Sequence, residues 1–111
     1  MRQAVAGAKV PMLLLLEPQG RQILSPFDKR ECISLKQAAD IAGKSESTMR
    51  AWAEVHGLGR RVGGGTWSIS RVALAMFLDG NRNALRAYHQ GDRVSEAVLA
   101  YYRRAGFLPP I

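Results

Sequence analysis

Two short helical patterns separated by almost nothing constrain this chain more than any other feature. Leu35, Ala38, Ala39 and Ala42 recur at the i, i+3, i+4, i+7 spacing of one helix face, with Ser34 placed to cap the start and Gly43 to stop it. Ser45 then offers a second N-cap, Met49, Trp52, Ala53 and His56 mark an inward face, and Gly57 ends the pattern. Only residues 43–45 remain to join the two. Helices so closely joined must pack on each other as a helix-turn-helix.

The next segment of the chain narrows the choice. Arg60-Arg61-Val62 and Thr66-Trp67-Ser68-Ile69 flank Gly63-Gly64-Gly65. Trp67 and Ile69 alternate with Thr66 and Ser68, the period of a half-buried strand, and the glycines suit a tight hairpin. Ser70 caps a third helix with Leu74, Phe77 and Leu78 as its apolar stripe and Gly80 at its end. Helix, turn, helix, hairpin, helix is the element order of a winged helix-turn-helix. The expected fold is mainly α with a small β-hairpin.

The flanks divide the chain into residues 1–31, 32–79 and 80–111. In the first stretch Leu13-Leu14-Leu15-Leu16 and Arg21-Gln22-Ile23-Leu24 surround Glu17-Pro18-Gln19-Gly20, a type I turn signal that fits a short hairpin or extended arm. The leucines equally suit half a buried helical turn. Cys32 reads as a small apolar residue entering the core. In the last stretch a short helix over Ala84 to His89 precedes a longer one capped by Asp92. That longer helix carries Val94, Ala97, Val98, Tyr101, Tyr102 and Ala105 on one stripe, with Gly106 and Pro109-Pro110 stopping it.

With 111 residues the chain has room for one small domain and modest extensions. Its 47% hydrophobic and 23% charged content suits a globular fold. Sixteen Lys and Arg against nine Asp and Glu leave a net +7, which favours an anionic partner. The N-terminal apolar run, Met12 to Leu16, is too short for a membrane span or a signal-peptide core. A single cysteine forms no internal disulfide and has no neighbour at metal-ligand spacing, which points to a reducing, cytoplasmic setting with no metal or cofactor.

Catalysis is not expected. His56 and His89 are far apart, and no His-Glu-x-x-His, Cys-x-x-Cys or Gly-x-Ser-x-Gly pattern occurs. A dinucleotide fingerprint starting at Gly57-x-Gly59 would need glycine at Val62, and Gly64-Gly65-Thr66 lacks the lysine of the other phosphate loop.

The run Ile33-Ser34-Leu35-Lys36-Gln37-Ala38-Ala39-Asp40-Ile41-Ala42-Gly43-Lys44-Ser45-Glu46-Ser47-Thr48-Met49-Arg50-Ala51-Trp52 resembles the excisionase-like, MerR-type winged helix-turn-helix family. The likeness continues through Arg61-Val62-Gly63-Gly64, Trp67-Ser68-Ile69-Ser70, Leu74, Phe77 and Leu78. It implies binding of double-stranded DNA, with the second helix in the major groove and the wing beside it. Family members are recombination directionality factors and transcriptional regulators. Lys44 stands where the family usually has an aliphatic residue and brings a charge close to DNA. The wing tip reads Gly65-Thr66 where many relatives carry arginine, which shifts the expected wing contacts to Arg60 and Arg61.

The expected contact set is Lys44, Ser45, Ser47, Thr48, Arg50, Ala51, Trp52, Arg60, Arg61 and Thr66. Ser47, Arg50, Ala51 and Glu54 lie opposite Met49, Trp52 and Ala53, a small polar face with one long cation that fits a groove about 12 Å wide. Arg50 resembles the family's helix arginine, and Trp52 its core aromatic with one edge on the backbone. The plainer reading of this face is ordinary solvation. Neighbouring strand residues point to opposite sides, so only one of Arg60 and Arg61 can face DNA directly. The C-terminal stripe is either covered by the domain itself or supports self-association through Val94, Val98, Tyr101 and Tyr102. Arg82, Arg86, Arg93, Arg103 and Arg104 are candidates to extend the phosphate-contacting surface. A recombinase or the transcription machinery is the implied protein partner. The competing reading is a protein-interaction adaptor; membrane-surface binding ranks below both, because the cations are not gathered on one amphipathic helix.

Overall fold

In the computed structural model, which describes residues 20–61 and 63–110, the first strand or helix among the described residues is β1 (Cys32–Ser34). Ser34 ends it and starts helix α1 (Leu35–Ala42) through a reciprocal cap. Its hydroxyl accepts from the Gln37 amide at 3.0 Å, while the Gln37 side chain accepts from the Ser34 amide at 2.9 Å. Gly43, at φ 68°, closes the helix, and Ser45 opens α2 (Glu46–His56) by accepting from the Thr48 amide at 3.1 Å. The closely joined helix pair and its caps agree with the expectation.

Gly57 ends α2 for two reasons. Its φ is 69°, and a Cβ there would come within 2.8 Å of the Arg21 guanidinium and 2.5 Å of the His89 ring. Strand β2 (Gly59–Arg61) pairs antiparallel with β3 (Trp67–Ser70), Arg60 opposite Ser68 and Arg61 opposite Trp67. A side chain at Gly59 would collide with the Ser68 carbonyl across this ladder. On its other edge β3 pairs with β1, Ile33 opposite Ile69, so the hairpin is part of a three-stranded sheet of order β1-β3-β2. Cys32, expected simply to enter the core, is half-buried in β1 and packs against it.

Ser70 caps α3 (Arg71–Leu78) by accepting from the Ala73 amide at 3.0 Å. The stripe expected there is corrected: Val72, Ala73, Leu74 and Met76 are buried, Phe77 is half-buried and Leu78 is 42% exposed. The sheet, α1 and the last two helices all touch α3, so no single face defines its inside. Those helices are α4 (Arg82–His89), capped by Asn81, and α5 (Glu96–Ala105), capped by Ser95. Asp92, expected to cap α5, does not do so. Its carboxylate accepts from the Val94 and Ser95 amides at 3.0 and 2.9 Å, fixing a turn ahead of the helix. Val94 is consequently 83% exposed, and Ala97 is exposed too. Val98, Tyr101 and Tyr102 are buried against the protein's own α3 and α4, which removes them from a surface a second copy could share.

Residues 21–24 are irregular, not the second strand of a hairpin. The expected first strand and most of the turn, residues 13–19, lie outside the described residues. Ile23 and Leu24 enter the core directly, and the Leu24 amide donates to the Tyr88 hydroxyl at 2.9 Å. The three stretches therefore share one core. At its centre is a fully buried acid, Glu31, which accepts from the hydroxyls of Ser70 at 2.6 Å, Tyr102 at 2.8 Å and Tyr88. Burial, and secondarily the charge of Glu31, pushes both tyrosine hydroxyls well above their ordinary range and keeps them protonated donors. Four segments of the chain thus meet on one carboxylate. No helix among the described residues is long and apolar enough to cross a membrane.

Candidate nucleic-acid interface

Packing of Met49 and Ala53 into the core turns the opposite face of α2 outward, and Ser47, Arg50, Ala51 and Glu54 are all exposed on it. None of that face is covered by the flanking segments among the described residues. Arg50 has no ion-pair partner there. Lys44, in the turn, is exposed and holds its ammonium 5.8 Å from the Trp52 ring. Trp52 itself is half-buried and tilted against Phe77 at 5.1 Å, consistent with a mainly structural aromatic. His56, expected to face inward, is exposed; its ring stacks on the outer side of Phe77 at 4.6 Å. Ser45 and Thr48 bind each other, the Ser45 hydroxyl donating to Thr48 Oγ1 at 3.1 Å, so both hydroxyls help hold the helix start.

The two hairpin arginines separate as the strand geometry requires. Arg61 faces the amino-terminal half of α2 across an open groove of about 450 Å³ that also contains Lys36, Glu46, Arg50, Thr66 and Trp67. Arg60 faces away, into a second groove shared with Arg21 and Glu54. Of the expected contact set, Arg50, Arg61 and Thr66 thus meet at one site, while Ser47 and Ala51 lie farther round the helix and Arg60 is on the reverse side of the sheet. Arg61 is not idle in the free protein. Its guanidinium donates to the carbonyls of Gly64 at 2.7 Å and Gly65 at 3.1 Å and lies over the Trp67 ring at 5.9 Å. It holds the glycine turn in shape.

Lys36 is the member of this site that sequence reasoning missed. It is the second residue of α1, exposed between Leu35 and Ala38, and nothing in the local pattern distinguishes it from a solubilising charge. Folding sets it across from Arg50 and Arg61, giving three cations against the single carboxylate of Glu46 around the groove. Such a surplus in a concave, half-screened space attracts an anion more strongly than the same charges dispersed over a convex surface.

The arginines of the C-terminal stretch divide. Arg93 donates to the carbonyls of Tyr88 and Asp92, at 2.8 and 2.9 Å, and of Gln22, and its guanidinium covers the Tyr88 ring. Arg103 pairs with Glu96, and Arg104 with Asp79 at 2.9 Å. Arg93 is thus tied to the backbone of its own fold, while Arg103 and Arg104 stay exposed in surface ion pairs. Arg82 and Arg86 remain exposed on α4 without an ion pair among the described residues. The histidine of α4 anchors the end of α2: His89 Nε2 lies 2.7 Å from the carbonyl of Gly57. Burial, with the charges of Arg21 and Arg93, holds that imidazole below its ordinary pKa despite the bond to Gly57, so the neutral ring is the donor.

Compared with known protein families, curated proteins and solved structures, this chain matches none.

Proposed function

We propose that this protein binds double-stranded DNA as a winged helix-turn-helix, with α2 in the major groove and the β2–β3 hairpin as a wing against the adjoining backbone. The observation that carries this reading is the groove in which Lys36, Arg50 and Arg61 converge from three separate elements. Three cations at a common concave site next to an uncovered helix face suit the regularly spaced charges of a phosphate backbone. Arg50 is the residue suited to base edges or the nearest phosphate; Lys36 and Arg61 suit phosphates on either flank. The exposed, short-chained Ser47 and Ala51 allow α2 a close approach to the groove floor. Binding, not catalysis, is the activity, acting as a recombination directionality factor (excisionase) or as a transcriptional regulator.

Selection of bound fragments from random duplex DNA tests this directly. A recovered motif, with Arg50→Ala weakening its binding by about 1–3 kcal/mol while the fold is retained, is the expected result. Weak, purely salt-driven binding without a preferred site would favour the adaptor reading, and no binding at all would end the DNA reading.

A further inference from the structure

One buried side-chain polar atom among the described residues lacks a hydrogen-bond partner: the indole Nε1 of Trp67. Native folds leave few such groups, and each carries an uncompensated desolvation cost. Its position is informative. Trp67 opens β3 directly across the ladder from Arg61, whose guanidinium lies over the indole ring. Trp67 lines both the groove that holds Lys36 and Arg50 and the one that holds Arg21, Arg60 and Glu54. Across the two grooves five cations, Lys36, Arg50, Arg61, Arg21 and Arg60, stand against two carboxylates, Glu46 and Glu54. Arg61 consumes the two nearby turn carbonyls, of Gly64 and Gly65, and Glu46 is the sole carboxylate of the first groove. An indole N–H accepts any oxygen as partner, and next to this many cations a phosphate oxygen is the acceptor the surroundings favour.

We propose that Trp67 donates its indole N–H to a backbone phosphate of bound duplex, after Arg61 leaves the Gly64 and Gly65 carbonyls for a neighbouring phosphate. This rests on the DNA-binding reading and deepens it, because binding then includes a rearrangement of the hairpin. The exchange is favourable for Arg61: bonds to two neutral carbonyls give way to charge-assisted bonds with a phosphate. It also takes the guanidinium off the face of the Trp67 ring, where it lies 5.9 Å from the centroid. Among the described residues Trp67 has no acceptor in the free protein, and the complex supplies one. A neutral donor displaces no counterion, so Trp67 adds affinity without adding to the salt dependence, whereas Arg61 adds to both.

The chain has two tryptophans, Trp52 and Trp67, so a ¹H–¹⁵N spectrum of the full protein has two indole resonances, assigned with Trp52→Phe. A short duplex should move the Trp67 indole proton downfield; inorganic phosphate at the same ionic strength should not. Trp67→Phe should weaken duplex binding about fivefold, the worth of one ordinary hydrogen bond, with the salt slope unchanged. The same substitution should leave the stability of the free protein unchanged or higher, since it deletes a donor with no acceptor. Arg61→Ala should lower the salt slope by about one unit. Duplex binding sensitive to Arg50→Ala but with a stationary Trp67 resonance would overturn this proposal while leaving the DNA reading intact. An equal shift with inorganic phosphate would replace the duplex by a free-anion site. Absence of any duplex complex overturns both readings.

Discussion

Replacing Tyr102 by phenylalanine deletes one oxygen from the centre of the protein and almost nothing else. The ring is fully buried, edge-on to Phe107 with centroids 5.4 Å apart, and that packing survives. What is lost is the 2.8 Å hydrogen bond to Glu31 Oε1, which leaves that oxygen without a partner among the described residues, while Oε2 keeps Ser70 and Tyr88. A hydrogen bond to a charged group contributes about 1.5–3 kcal/mol net, and the vacated volume is too small for a significant cavity term. With a urea slope of about 1–3 kcal/mol per molar, the unfolding midpoint should fall by roughly 0.5–3 M with little change in slope. Tyr88→Phe should cost more, because the Leu24 amide loses its 2.9 Å acceptor as well. The double variant should deviate from additivity by about 0.5–3 kcal/mol, since both hydroxyls serve one carboxylate. A Tyr102→Phe cost below about 0.5 kcal/mol would refute the idea that Glu31 organises the core.

The geometry dictates three further outcomes. In the unfolded chain His89 titrates near its ordinary value of 6.5, while in the folded protein burial holds it lower, so the unfolded state binds more protons and stability is lost as pH falls through 6.5 toward the depressed value. Urea midpoints at neutral and mildly acidic pH should show that loss in the wild type and a smaller one in His89→Gln. For the hairpin, Arg61→Ala should both flatten the salt dependence of duplex binding and loosen the Gly63–Gly65 turn, seen as faster amide exchange there, whereas Arg60→Ala should do neither strongly. Light scattering over a wide concentration range should return the 12.2 kDa of a single chain, because Val98, Tyr101 and Tyr102 are occupied; a dimer abolished by Val94→Asp would contradict this.

Much of this architecture was legible because local chemistry announced it. Ser34 and Gly43, Ser45 and Gly57, and Ser70 each act within a few residues of themselves, and the helices start or end where they stand. What escaped acts over distance. Glu31 looks like an ordinary surface acid between Arg30 and Cys32; its partners Ser70, Tyr88 and Tyr102 lie 39, 57 and 71 residues away. Strand β1 has three residues, too few to display a period, and is defined by pairing with β3. Asp92 has the right chemistry for a cap, but Ser95 takes that place because the Asp92 carboxylate is spent on the preceding turn. At the interface, the exposed face of α2 followed from its periodicity. Convergence with Lys36 depended on how α1 packs against α2, and the role of Arg61 on the register that sets it against Trp67.

The most direct test of the central claim is fluorescence anisotropy of a labelled duplex titrated with the full chain over a series of salt concentrations. If Lys36, Arg50 and Arg61 each neutralise a phosphate, the logarithm of the association constant falls against the logarithm of salt with a slope of about −2.7 or steeper. The triple substitution of those residues by alanine should then flatten the slope by about 2.7. A wild-type protein that forms no complex at low salt, or a slope untouched by the triple substitution, would contradict the account.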